Sequence, residues 1–259
     1  MHQESWDVVL PPMLRSAGLP DTGFAVEPLT GGVSSDIVKV TLSDGRLVCA
    51  KRALAKLKVA SDWQAPLERN HYEVAWLRHA AEIVPGAAPK VYAEDAERGI
   101  ALLEFLPPQD YRLWKADLLA GHAAPDVPLR VADALGRIHA ATLDDASAAA
   151  EFPTDHLIDA LRFDPYLRTL AARYPALSPS ILDTLDRSWK TKLALVHGDV
   201  SPKNILVAVT DGHPVLLDAE CAWYGDPAFD AAFCLNHLVL KSVHLPALRS
   251  ELLRQAKTF

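Results

Sequence analysis

The chain has few cysteines, and their spacing matches no known framework. Its 259 residues contain three, Cys49, Cys221 and Cys234. An odd number without regular spacing is not a disulfide framework. No Cys-x-x-Cys or His-Glu-x-x-His motif occurs, so a structural zinc site is not expected. The cysteines are therefore predicted to be small core residues.

Long apolar runs and an N-terminal targeting signal are also missing. No apolar run approaches the roughly 20 residues that a membrane-spanning helix needs. The first seven residues, MHQESWD, lack the basic-then-apolar order of a secretory signal. From these absences we expect a cytoplasmic protein that has no membrane partner.

Basic residues are outnumbered by acidic ones. There are 26 lysines and arginines against 33 aspartates and glutamates, a formal net charge of −7. A nucleic-acid-binding protein normally carries a basic stripe, so no nucleic-acid partner is expected. Half of the residues are apolar, which excludes disorder as the dominant state and allows a buried core in one large domain or two small lobes.

The pattern of apolar residues changes along the chain. Strands are predicted at 24–29, 37–42, 47–53, 90–93 and 100–105. Helices are predicted over the first 20 residues with an interruption at Pro11-Pro12, and at 65–81, 129–141, 157–170, 181–189, 229–240 and 245–257. The sequence therefore predicts an α+β protein with a small antiparallel β-sheet lobe plus helix at 1–103, a hinge at 104–108, and a larger, mostly α-helical lobe at 109–259.

The most informative segment, 196–207, reads VHGDVSPKNILV. In it Asp199 stands five residues before Asn204, and Asn204 directly precedes the first arm of a hairpin predicted at 205–209 and 214–217. Asp218 ends the second arm. Because the start of one antiparallel arm lies beside the end of the other, Asn204 and Asp218 are expected close together, with Asp199 on the adjacent loop.

Two carboxylates and an amide oxygen form a set of hard oxygen ligands. Such ligands suit Mg²⁺ that keeps several waters and binds substrate phosphates. One carboxylate can stay outside the metal shell and orient an attacking hydroxyl, which is the division of labour that phosphoryl transfer needs. The alternative is that the three are ordinary loop residues that cap the hairpin.

The order of these motifs resembles that of a known family. His197-Gly198-Asp199 with Asn204, then Leu216-Leu217-Asp218, then Gly225-Asp226-Pro227-x-x-Asp230, is similar to the aminoglycoside phosphotransferase and choline kinase family. The resemblance extends over roughly 24–240 and implies the protein-kinase-like two-lobed fold. It also implies transfer of the γ-phosphate of ATP, or of another nucleoside triphosphate, to a hydroxyl of a small molecule with the help of Mg²⁺.

The resemblance implies a role for each matching position. Asp199 would be the catalytic base or the carboxylate that orients the hydroxyl, Asn204 and Asp218 would be the Mg²⁺ ligands, and Asp230 would brace the catalytic loop. Lys51 would contact the α- and β-phosphates and pair with Glu73, and the loop 31–35, including Ser34, would cover the phosphates. The backbone of the hinge, Glu104 to Leu106, would meet the adenine.

Several alternatives remain open at these positions. Lys51 shares one face of its predicted strand with Leu47 and Cys49, as expected for an ammonium held in a cleft. Glu68 competes with Glu73 as its partner. Lys203 either helps to neutralise the γ-phosphate or faces solvent.

Two departures distinguish the chain from protein kinases. Gly198 stands where a regulated protein kinase usually carries arginine, and only seven residues separate Asp218 from Asp226. No long activation segment fits there, which disfavours a protein kinase.

The short stretch of 29 residues after Asp230 keeps a second hypothesis open, a kinase-like nucleotide-binding module without efficient turnover. The acceptor of a kinase could be aminoglycoside-, choline- or sugar-like.

Overall fold

The computed structural model describes residues 4–30, 32, 34–58 and 63–259. The first part of the chain forms an antiparallel sheet and two helices. Its elements are α1 (Trp6–Ser16), β1 (Ala25–Leu29), β2 (Ser35–Thr41), β3 (Leu47–Ala53), α2 (Arg69–Ile83), β4 (Val91–Asp95) and β5 (Ile100–Glu104). The strand order β1-β2-β3-β5-β4 makes β3 the central strand.

The second part of the chain is mostly helical. Its helices are α3 (Trp114–Leu119), α4 (Asp126–Ala141), α5 (Ala146–Glu151), α6 (Asp155–Ile158), α7 (Thr169–Arg173), α8 (Ser178–Lys190), α9 (Ala228–His244) and α10 (Arg249–Thr258). Its short strands are β6 (Tyr111–Leu113), β7 (Ala194–Val196), β8 (Ile205–Ala208), β9 (Pro214–Leu216) and β10 (Trp223–Gly225), in two sheets ordered β6-β8-β9 and β10-β7. The predicted α+β class is confirmed.

Helix α1 continues through the two prolines that the sequence predicted would interrupt it. Pro11 and Pro12 both lie inside the helix. Two prolines remove backbone hydrogen bonds, which normally breaks a helix. Here Leu10 and Met13 are buried in a cluster with one face of the sheet, which carries Val48 and Ala50 and is opposite to the face of Lys51. This packing outweighs the local preference, and the predicted interruption is wrong.

The helix predicted at 157–170 is confirmed as a helical stretch, but it is not an α-helix throughout. The segment contains α6, then a π-helix over Asp159–Arg168, then α7. Pro165 lies inside the π-helix, and a proline cannot donate the hydrogen bond that a regular helix needs. A π-helix is rare and occurs frequently at functional sites. We call this stretch the π segment.

The two parts of the chain share one hydrophobic core. Val74 and Trp76 of α2 and Leu103 of β5 belong to the same buried cluster as Ile138 of α4 and Leu238 of α9. Helix α2 is therefore fixed between the sheet and the helical part by apolar packing. The division at 104–108 stays a prediction of the sequence.

No single helix in the described ranges is long and apolar enough to cross a membrane. Helix α9 and the following stretch, Pro246–Thr258, meet both criteria only as a pair, and that pair is bent by 118°. The three cysteines are free, with Cys221 and Cys234 buried and Cys49 half-buried.

Candidate functional site

The hairpin formed by β8 and β9 brings together two of the predicted site residues. Ile205 pairs with Leu216 across the hairpin. The Leu217 N–H donates to the Asn204 carbonyl at 2.8 Å. Asn204 and Asp218 therefore stand at the same end of the hairpin, and the loop that carries Asp199 leads directly into it.

Asp230 anchors that loop from the first turns of α9. Its carboxylate accepts the backbone N–H groups of His197 and Gly198, both at 2.8 Å, and lies 3.0 Å from His139 Nε2. The side chain is completely buried. Burial raises the pKa of the Asp230 carboxyl, but the hydrogen bond with His139 and the nearby histidines hold it below its ordinary value. The carboxylate thus fixes two consecutive peptide groups before Asp199.

His197 stabilises the loop as a neutral imidazole. Its Nδ1 accepts the Asp199 N–H at 3.1 Å, so its Nε2 carries the proton and donates to the Leu217 carbonyl at 3.1 Å. Burial lowers the pKa of His197. Its ring packs against Trp76 with centroids 4.6 Å apart. These contacts give His197 a structural role in connecting the loop to the hairpin.

Gly198 occupies a position that admits no side chain. Its φ of 78° is in the left-handed region, which glycine adopts without strain. A Cβ added there would lie 2.4 Å from the Cys221 carbonyl oxygen. The arginine that regulated protein kinases carry at this position would not fit.

Asp199 is buried, and one of its oxygens is bound by two cations. Oδ2 lies 2.8 Å from Arg162 Nη2 and 2.9 Å from Lys203 Nζ. Arg162 also donates from Nε to the Gly198 carbonyl at 2.9 Å. Oδ1 accepts no hydrogen bond from any residue in the described ranges. One oxygen is therefore fixed, while the other is available.

Lys51 joins three elements through its ammonium group. Nζ lies 2.7 Å from both oxygens of Glu73 on α2 and 2.5 Å from Asp218 Oδ1 at the end of the hairpin. Glu68, the competing candidate, instead lies 2.6 Å from His156. We call Lys51, Glu73 and Asp218 the lysine cluster.

The lysine cluster holds two carboxylates around one buried ammonium. Burial opposes the charge on Lys51, but Asp218 and Glu73 outweigh it and raise the pKa of Lys51. Burial, aided by the charge of Asp218, raises the pKa of Glu73 to about 7. Burial also acts to raise the pKa of Asp218, but the ammonium of Lys51 lowers it to about 2. Asp218 is thus the more strongly ionised of the two carboxyl groups.

The donor atoms at the hairpin end suit a hard cation. The Asn204 amide nitrogen donates to the Asp199 carbonyl at 3.1 Å, which leaves Asn204 Oδ1 unused. Asp218 Oδ2 likewise accepts no hydrogen bond within the described part of the chain. No group of three His, Cys, Asp or Glu side chains able to hold a metal occurs among the described residues. The set fits Mg²⁺ bound by few protein oxygens together with phosphates and water.

The remaining predicted positions lie next to the ends of strands β2 and β5. Ser34 is buried, and its carbonyl accepts from Arg69 Nη2 and from the Leu54 N–H. Glu104 ends β5, and its side chain accepts the Lys90 N–H at 3.1 Å.

Leu106 is half-buried, and its N–H has no partner among the residues that the structure describes. Gly31 and Val33 of the predicted phosphate-covering loop lie outside the described residues. No contact in the structure shows what the loop or the hinge backbone binds.

Two buried arginines of the site were missed in the sequence. Arg69 is completely buried and donates to Glu220 at 2.9 Å and to the Ser34 and Leu54 carbonyls at 2.7 Å. It thereby joins the loop before β2 to the segment after Asp218. Arg162 reaches Asp199 from the π segment. Nothing in the local pattern around either arginine points to these partners.

The chain matches one protein-family model over most of its length. The model of the phosphotransferase enzyme family matches residues 25–256. Among curated proteins, the methylthioribose kinase of Pectobacterium atrosepticum is 26% identical over 256 residues, which cover 88% of this chain and 63% of that protein. Methylthioribose kinase 1 of rice (Oryza sativa subsp. japonica) is 25% identical, with 84% and 57% covered. The chain thus spans about three fifths of the length of these relatives.

Solved structures share the fold at low sequence identity. An ethanolamine kinase of Plasmodium vivax superposes with a TM-score of 0.57 at 15% identity, covering 92% of this chain and 72% of that one. A macrolide 2'-phosphotransferase of Brachybacterium faecium gives 0.56 at 19% identity, with 97% and 82% covered. The kinase-like two-lobed fold that the sequence predicted is confirmed by these likenesses.

A substitution at Gly198 meets two costs, the left-handed backbone conformation and the close approach of the Cys221 carbonyl to the new Cβ. A comparison with Gly45 separates these two costs. Gly45 has a similar φ of 85° in a turn, with nothing within 4 Å of an added Cβ. We expect Gly45→Ala to lower the free energy of unfolding by about 1–2 kcal/mol, the cost of the left-handed conformation alone. Gly198→Ala should cost at least about 2 kcal/mol more, because the Cys221 carbonyl must also move. Urea denaturation measures both. Equal losses would show that the loop accommodates a methyl group.

The lysine cluster predicts a pH-dependent loss of stability. Lys51→Met leaves two buried carboxylates without their cation and should lower the free energy of unfolding by about 3 kcal/mol at about pH 8. A carboxyl whose pKa is raised by folding stabilises the protein below its unfolded pKa, and this contribution is lost as pH rises through the folded pKa. Without Lys51, Glu73 stays protonated and uncharged at about pH 5, where the loss should be roughly half as large.

Urea denaturation at the two pH values tests this difference. Lys190→Met is the control, since Lys190 pairs with Asp186 on the surface of α8 with side chains 70% and 55% exposed. It should change the free energy of unfolding by less than about 0.5 kcal/mol at either pH. A loss in Lys51→Met that is larger at about pH 5 than at about pH 8 would contradict the raised pKa of Glu73.

Proposed function

The chain belongs to the phosphotransferase enzyme family, and from this premise we propose that it transfers the γ-phosphate of ATP to a hydroxyl of a small, sugar-like molecule. The observation that carries the proposal is the state of Asp199. Arg162 and Lys203 bind its Oδ2, whereas its Oδ1 accepts no hydrogen bond within the described ranges. A carboxylate with one fixed and one available oxygen can orient an acceptor hydroxyl and accept its proton.

Asn204 and Asp218 are the residues that would hold Mg²⁺. Their unused oxygens lie at the same end of the hairpin, beside the loop of Asp199. When bound, the metal supplies neutralisation of the charge on the phosphates. Lys203, 47% exposed at its side chain, is placed to add a positive charge near the transferred group.

The nucleotide would lie between the sheet and the hairpin. Lys51 would contact the α- and β-phosphates while Glu73 keeps its ammonium in place, and Ser34 would cover the phosphates from the loop before β2. The backbone from Glu104 to Leu106 would meet the adenine, with the free N–H of Leu106 as the donor. The buried Lys51–Glu73 contact at 2.7 Å supports this arrangement, because it holds the lysine at a defined position.

The sugar-like acceptor follows from the relatives. The curated proteins cited above are methylthioribose kinases, and the chain covers 63% and 57% of their lengths. Sequence identity of 25–26% supports an acceptor class and not one compound. A cytoplasmic location and the lack of nucleic-acid and membrane partners stay predictions of the composition.

Replacing Asp199 tests the mechanism. Asp199→Asn keeps the size of the side chain but cannot accept a proton, so kcat should fall about 10²- to 10⁴-fold. Binding of Mg-ATP should change by less than about threefold, since Asp199 is not assigned to the nucleotide. The measurements are ³¹P NMR of a mixture of ATP, Mg²⁺ and a panel of sugars, and calorimetry of nucleotide binding.

The control is Asp133→Asn on the outer face of α4, where the side chain is 71% exposed. It should leave kcat unchanged. Full activity in Asp199→Asn would exclude this carboxylate as the base. Tight Mg-ATP binding by the unmodified protein, with no phosphoryl transfer to any sugar, amino alcohol or aminoglycoside, would instead favour the nucleotide-binding module.

A further inference from the structure

One arginine of helix α2 uses every hydrogen-bond donor of its guanidinium group. Arg69 is completely buried, and a guanidinium carries five N–H bonds in a rigid planar fork. Nε donates to Glu220 Oε2 at 2.9 Å. The other N–H groups donate at 2.7–3.0 Å to four backbone carbonyls, those of Ser34, Leu54, Ala65 and Pro66. Because the fork is rigid and fully used, it fixes the positions of its five acceptors relative to each other.

Two of these acceptors connect the arginine to the sheet. Ser34 belongs to the loop before β2, and Leu54 follows the end of β3, three residues after Lys51. Arg69 Nη2 donates to both carbonyls at 2.7 Å, and the Ser34 carbonyl also accepts the Leu54 N–H at 2.9 Å. The loop proposed to cover the phosphates is therefore tied to the strand that carries the phosphate-contacting lysine.

The ion pair connects the arginine to the metal side of the proposed site. Glu220 comes two residues after Asp218, and the side chains of Arg69 and Glu220 are 1% and 11% exposed. Arg69 also lies one helical turn before Glu73 on α2. The helix that carries the partner of Lys51 is thus held to the segment that carries the proposed metal ligand.

Stability alone does not account for an arginine at this place. A buried ion pair adds little net stability compared with apolar side chains of the same volume. What the guanidinium adds is geometry, since it reaches carbonyls on several sides at once. A lysine offers three donors from a single nitrogen and cannot reproduce this fork. The anionic partner, Glu220, belongs to the chain itself, so no phosphorylated segment is needed to hold α2 in place.

We propose that Arg69 is a positioning residue of the nucleotide site. It holds the loop at Ser34 and the segment of Asp218 at a fixed separation, so that both act on the same triphosphate. It acts through these residues and not by contact with the nucleotide. The inference rests on the proposed function, because it concerns the nucleotide of that reaction. Arg69 therefore contributes to affinity for the triphosphate with its metal and not to affinity for the adenine end.

Arg69→Lys tests this role, because it keeps the positive charge beside Glu220 but loses the fork. The measurement is calorimetry on the full chain with two ligands, Mg-AMP-PNP and adenosine. The Kd of Mg-AMP-PNP should rise about tenfold or more, and that of adenosine should change by less than about twofold. A merely structural role would weaken both ligands in the same proportion or neither of them.

Arg52 provides a matched control on the same sheet. It is buried, but it lies on the face of β3 opposite to Lys51. Its Nη1 donates to the Glu4 carbonyl at 2.7 Å, and its guanidinium carbon lies 4.1 Å from the ring centroid of Trp6. Arg52→Lys removes a buried guanidinium fork in the same way and should leave both affinities within about twofold.

Glu220→Gln is a milder second variant, which keeps the size of the side chain and a hydrogen-bond acceptor for Arg69. AMP-PNP without metal is its probe, so that any contact of Glu220 with Mg²⁺ has no influence. Removal of a negative charge would by itself strengthen binding of the anionic triphosphate. Loosening of the segment after Asp218 should instead weaken it about threefold.

The outcomes separate the positioning role from the proposed function. Unchanged Mg-AMP-PNP affinity in Arg69→Lys, an equal loss for adenosine, or an equal loss in Arg52→Lys overturns the role of Arg69. Unchanged or tighter binding of metal-free AMP-PNP by Glu220→Gln overturns it as well. A selective loss in Arg69→Lys supports it, even where ³¹P NMR shows no phosphoryl transfer by the unmodified chain, a result that overturns the proposed function alone. Failure of the unmodified chain to bind Mg-AMP-PNP overturns both.

Discussion

The buried contact of one ammonium with two carboxylates is the constraint on which the cleft depends. Lys51 lies on the central strand of the sheet, Glu73 on α2 and Asp218 at the end of the hairpin. These three elements come from both parts of the chain, and the charges meet at one point. Removing Lys51 would leave two buried carboxylates without a cation, which is costly in a low-dielectric interior. The lysine cluster therefore fixes how the sheet faces the hairpin.

The charge around Asp199 is the reverse of that in the lysine cluster. Arg162 and Lys203 surround the single carboxylate of Asp199, so these three side chains together carry an excess positive charge. The lysine cluster, with one ammonium and two carboxylates, carries an excess negative charge. A cation at the Asp218 end and an anionic phosphoryl group near Asp199 would each meet the opposite sign. This pattern is built into the protein, because both groups are held by buried contacts.

Part of this site could be predicted from the sequence, for geometric reasons. Asn204 and Asp218 flank a hairpin, and antiparallel pairing alone brings such residues together. The alternation of side chains along β3 correctly predicted that Lys51 is buried. The choice of Glu73 over Glu68 as its ion-pair partner needed the order of the family motifs. Arg69 and Arg162 could not be found, since their partners are distant in sequence and their neighbours have no distinctive pattern. The prolines of α1 misled for the same reason, because tertiary packing decides their effect.

The glycine at 198 leaves no room for an arginine at that position of the catalytic loop. With a φ of 78° and the Cys221 carbonyl in the place of a Cβ, the loop cannot carry an arginine of its own. Arg162 instead reaches Asp199 from the π segment, where it is buried with its hydrogen bond to the Gly198 carbonyl and its ion pair with Asp199 already made. No phosphorylated segment is needed to bring this charge into place.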